Sequence, residues 1–120
     1  MTQNVQAGVR VHTPLMLLQD RTYTKILIVS LPETTPVLEA SQLQEDLRRA
    51  GIEPYAWVMN ASLAAAKPTD PLLRSRAAAE IPQIAKVSEN LADRVALVPF
   101  QVEEPVDAEH LLALTDQHRF

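Results

Sequence analysis

The sequence predicts an α/β domain of three layers, built on a parallel β-sheet with right-handed βαβ crossovers. Three observations carry this. The run Lys25-Ile26-Leu27-Ile28-Val29-Ser30-Leu31 is apolar without polar alternation, as suits a strand buried on both faces. It stops in a polar corner, Pro32-Glu33-Thr34-Thr35-Pro36, where Thr35 can cap a helix and Pro36 can occupy its first position. Strand-like and helix-like segments then alternate, an order that joins parallel strands.

Taken in order, residues 1–12 carry few apolar side chains and are expected to form a loose leader, with the α/β part spanning 13–120. Thr13 and Pro14 can open a short helix through Asp20, which needs packing to persist. Strand one is Lys25 to Leu31. The helix that follows puts Ala40, Leu43, Leu47 and Ala50 on one face, and Gly51 ends it in a left-handed conformation. Tyr55 to Asn60, aromatic and branched, reads as strand two. Ala64 to Thr69 reads as a loop. Asp70 and Pro71 open the next helix, in which Pro82 predicts a kink or break before helix resumes through Leu91. Arg94 to Phe100 is strand three, and a last helix begins near Asp107.

The chain has one domain's worth of residues and a hydrophobic content of 47%. A net charge of −4 lacks the basic stripe of a general nucleic-acid binder. The absence of cysteine excludes disulfides, thiolate metal sites and a cysteine nucleophile, and permits a cytoplasmic location. The N-terminus lacks a signal-peptide pattern, and no apolar run approaches the roughly 18 residues of a membrane span.

For chemistry, the absences narrow the field. The two glycines, Gly8 and Gly51, are far apart and neither adjoins a lysine, so no phosphate-cradling loop can form. His12, His110 and His118 lack ligand spacing, which gives no metal site. Arg48, Arg49, Arg74 and Arg76 read as solvated helix charges. What remains is a row of strand ends, delivered to one edge by parallel strands. Asn60 there offers a side-chain amide that can donate to and accept from an adenine edge, or can form a local turn. Pro99 and Phe100 can present a flat surface to a base, or can end a strand and fill core. Glu33 can receive a lysine or position a water, or can merely complement the helix dipole.

From Thr13 onward the chain resembles the C-terminal portion of the arsenical pump-driving ATPases, which energise arsenite efflux. The resemblance rests on Thr13-Pro14-Leu15-Met16-Leu17-Leu18-Gln19-Asp20, on Thr24 through Ala40, on Pro71-Leu72-Leu73-Arg74, on Leu91 and Arg94 to Pro99, and on Glu104-Pro105. Its most specific run is Leu31-Pro32-Glu33-Thr34-Thr35-Pro36-Val37-Leu38-Glu39-Ala40. It implies the C-terminal part of a P-loop NTPase fold of the deviant Walker A type, with ATP and magnesium in the parent enzyme. It also implies that Asn60 reads the adenine, that the loop from Pro99 through Phe100 and Gln101 to Glu104 encloses the base, and that Glu33, with Thr34, lies near an interface or switch. A zinc-bridging cysteine pair known in related targeting ATPases has no counterpart over Lys67 to Asp70. The family's phosphate loop, switch aspartates and metalloid-binding cysteines are not present in this sequence, and residues 1–12 do not match it.

The resemblance implies a cytoplasmic protein, peripheral to the membrane when in a pump complex. Its expected partners are the N-terminal part of the ATPase or an intact homologue and, through the parent, an arsenite efflux membrane protein. No nucleic acid is expected, and neither nucleotide nor magnesium should bind tightly to this chain alone. The alternative is a non-catalytic interaction module that pairs through its open sheet edge, residues 25–31, with an intact ATPase or with itself.

Overall fold

The structure, a computed structural model, describes residues 13–102 and 108–117. The leader expected over 1–12 and the residues Glu104 and Pro105 lie outside them. The elements in order are α1 (Pro14–Gln19), β1 (Leu27–Ser30), α2 (Thr34–Arg49), β2 (Ala56–Ser62), α3 (Leu63–Ala66), α4 (Pro71–Lys86), a π-helical turn (Val87–Leu91), β3 (Val95–Pro99) and α5 (Ala108–Gln117). The three strands form one parallel sheet in the order β1-β2-β3. Their carboxyl ends therefore share one edge, as the sequence predicts.

Across the sheet, Ile28 pairs with Trp57 and Trp57 with Val95, while Ser30 pairs with Met59 and Met59 with Leu97. Ile28, Trp57 and Met59 form the core with Val37 and Ala40 of α2 and Val87 of the π-turn, and Ile84 of α4 packs against it. Both crossover helices thus cover the same face, which is what two crossovers of like hand give in a sequential strand order. Among the described residues this corrects the expectation of three layers and of a first strand buried on both faces. On the opposite face Leu27 is 47% and Val29 60% exposed. The unbroken apolar run reports that β1 has two apolar faces, and only one is covered by the described residues.

Helix boundaries follow local chemistry with three corrections. The helix α2 begins at Thr34 with Glu33 as N-cap, so Thr35 does not cap it, and the Glu33 side chain makes no capping bond. Its buried row is Val37, Ala40 and Gln44, with Leu43 half exposed. Polar Gln44 displaces Leu43 from the core because two buried groups require it, as described below. In α4, Asp70 caps the helix by accepting from the amides of Leu72 and Leu73. That helix continues through Pro82 without the expected break. Pro82 and Ala78, whose carbonyl loses its intrahelical donor, are both exposed, so solvent can satisfy that carbonyl. The irregularity falls later, in the π-turn. Finally, the expected loop over Ala64 to Thr69 begins with one helical turn, α3, capped by the Ser62 hydroxyl accepting from Ala65 N.

Candidate functional site

At the carboxyl end of the sheet, β2 does not finish as a regular strand. Its register with β3 shifts between Met59 and Ser62, so that Asn60 and Ala61 together stand opposite Val98. Ala61 has φ 53°, in the left-handed region, which costs a residue with a Cβ about 1 kcal/mol or more. Asn60, one position earlier, is exposed, and its side-chain amide has no hydrogen-bond partner among the described residues. Beside it the amide of Phe100 donates to the Ser62 carbonyl at 2.9 Å, which ties the end of β3 to the end of β2.

The predicted base-enclosing residues divide. Pro99 is buried and ends β3, whereas the Phe100 ring is 52% exposed. Gln101 is exposed and folds back, its side-chain nitrogen donating to the Pro99 carbonyl at 3.0 Å. Asn60, Phe100 and Gln101 thus belong to neighbouring strand ends.

Glu33 and Thr34 line an adjoining cleft of about 440 Å³ with Pro32, Leu63, Arg76, Ala79, Glu80 and Gln83. The Thr34 hydroxyl accepts from the Gln83 side-chain nitrogen at 3.2 Å. The Glu33 carboxylate is exposed and makes no capping hydrogen bond, so its contribution to the helix end is limited to its charge beside the dipole. Leu63, three residues after Asn60, is where the cleft meets the strand-end group. Asn60, Pro99, Phe100 and Gln101 are not among its walls.

One residue at this edge was missed from the sequence. The Glu80 carboxylate accepts from the Ser62 hydroxyl at 2.8 Å and from the amides of Leu63 at 3.0 Å and Ala64 at 3.1 Å. A signal was available: Ala77, Glu80, Ile84 and Val87 share one helical row, and Glu80 is its only charged member. Of the arginines read as solvated, Arg76 enters the cleft, while Arg48 pairs with Glu53 at 2.9 Å at the other end of the sheet.

That other end also holds a cleft, lined by Arg21, Gln44, Arg48, Tyr55, Trp57 and Arg94 among others. It lies at the amino ends of the strands, away from the edge where open α/β sheets bind ligands. Among the described residues no group of three or more His, Asp or Glu could hold a metal ion. No helix among them is long and apolar enough to cross a membrane.

No family model matches the chain. Curated proteins do. An arsenical pump-driving ATPase of Escherichia coli is 56% identical over 102 residues, which cover 85% of this chain and 18% of the relative. One from Acidiphilium multivorum is 55% identical over the same shares, and a second from Escherichia coli is 54% identical. The chain thus spans about a fifth of the length of the curated relatives it matches.

Proposed function

From the premise that this chain belongs to the arsenical pump-driving ATPase family, we propose that it is the C-terminal, adenine-side part of such an enzyme. In the parent, ATP binding and hydrolysis would drive arsenite efflux. This part contributes Asn60 as the side chain that reads the base edge, with Phe100 as an apolar surface and Pro99 and Gln101 shaping the loop around it. Glu33 and Thr34 face the neighbouring part of the enzyme. The single observation that carries the reading is the parallel order β1-β2-β3, which gathers these residues at the carboxyl edge, where the Asn60 amide has no hydrogen-bond partner among the described residues.

The chemistry of such a site is limited to recognition. A planar amide donating and accepting at once matches an adenine edge, and an exposed aromatic ring can stack on it. Gripping phosphate needs backbone amides freed by glycine, together with a lysine, and the glycine pattern of this chain supplies neither. Hydrolysis thus belongs to the parent, which would act beside the membrane with an efflux protein.

A second reading has its own observation. β1 is an edge strand with Leu27 and Val29 exposed on its open face, the features of a strand that pairs with another chain. A non-catalytic module would use it to bind an intact ATPase or a second copy. Sedimentation and ATP titration of the chain separate the two readings. Nucleotide-dependent amide shifts at Asn60 and Phe100 support the first, and a defined oligomer blind to ATP supports the second.

A further inference from the structure

The strand-end site needs its bulge held rigid, and we propose that Glu80 is the positioning residue that holds it. This rests on Asn60 being the base-recognising side chain. Along β2, Trp57 and Met59 face the helices, and strict alternation would turn Ser62 away from them. The extra residue in the bulge reverses that parity, so Ser62 returns to the helical side and is wholly buried against α4. The bulge holds Ala61 at φ 53°, a left-handed conformation that is strained for a residue with a Cβ.

Glu80, itself 7% exposed, supplies the restraint. Its Oε1 accepts from the Ser62 hydroxyl and the Ala64 amide, and its Oε2 accepts from the Leu63 amide. The Ser62 oxygen in turn accepts from the Ala65 amide at 3.1 Å. Every one of these donors lies on the four residues that follow Ala61. One carboxylate from α4 thus locks the chain on the downstream side of the left-handed residue, and the orientation of Asn60 upstream of it is the consequence. A carboxylate is suited to this because it offers acceptors only, and all three donors facing it are N–H or O–H groups.

The test is titration of the full chain with ATP at millimolar concentration, read by amide chemical shifts at Asn60 and Phe100, with Trp57 fluorescence as the check on folding. Glu80→Gln places a donor among donors and should weaken ATP binding about tenfold while the core stays folded. Adding Ala61→Gly to that variant should restore affinity to within about twofold, because glycine adopts positive φ without help. With Trp57 fluorescence showing every variant equally folded, a loss of global stability alone would give neither the weakening nor the rescue. If Glu80→Gln does not fold, Ser62→Ala with and without Ala61→Gly reads the same linkage. Glu80→Gln binding ATP like the parent chain, or no rescue by glycine, overturns the positioning role alone. A parent chain whose Asn60 and Phe100 amides ignore ATP overturns the site and the positioning role together.

Discussion

The indole nitrogen of Trp57 donates to the side-chain oxygen of Gln44 at 2.7 Å in the core. The same amide's nitrogen donates to the Leu91 carbonyl at 2.9 Å, at the close of the π-turn. Gln44 thus links β2 to the segment that leads into β3, and its burial is the reason α2 turns Leu43 to solvent.

Removing it should be costly. Gln44→Ala leaves a buried N–H and a carbonyl without partners and opens a void, for an expected loss of about 2 to 4 kcal/mol. Urea unfolding followed by Trp57 fluorescence checks this, and the native emission should shift as the indole loses its acceptor.

The two long helices begin differently, and their caps should respond differently. Asp70 accepts from two α4 amides, so Asp70→Ala should cost about 1 kcal/mol. Glu33 makes no capping bond, so Glu33→Ala should change stability by less than about 0.5 kcal/mol. Paired denaturation curves of the two variants test the contrast.

Gly51 ends α2 at φ +78°, and a Cβ there would lie 2.7 Å from the Gln19 side-chain nitrogen, which donates to the Ala50 carbonyl. Gly51→Ala should destabilise by about 2 kcal/mol through backbone strain and this clash. In a Gln19→Ala background the clash disappears but the strain persists, so the penalty should fall without vanishing. Equal penalties in the two backgrounds would show that α1 does not press on the α2 terminus.

These particulars show what the sequence could reveal. Asp70-Pro71 and Gly51 announced a helix start and a helix end because one residue's chemistry decides each. The three strands were legible as apolar runs, but the run of β1 could not show that Leu27 and Val29 would be left uncovered by the described residues. Thr35-Pro36 misled because the helix start moved to Thr34 without any side-chain cap. The row of Ala77, Glu80, Ile84 and Val87 marked Glu80 as out of place, but what Gln44 and Glu80 hold was opaque, because their partners Trp57 and Ser62 lie 13 and 18 positions away. The bulge at Ala61 was hidden because alanine carries no mark of positive φ.

The exposed edge strand makes a prediction about association. Val29, 60% exposed on the bare face of β1, should promote self-pairing at high concentration. Val29→Lys should lower the sedimentation coefficient under those conditions and leave the melting temperature within a few degrees. An unchanged association state would place any self-contact elsewhere.

As proposed, this chain would recognise the base of a nucleotide without gripping its phosphates. Calorimetric titration of the chain and of Asn60→Ala with ATP, with phosphate release followed in the same samples, tests it most directly. The expected result is weak binding with a dissociation constant on the order of 1 mM, abolished by Asn60→Ala, and no turnover. Phosphate release at an enzymatic pace, or tight binding indifferent to Asn60→Ala, would contradict it.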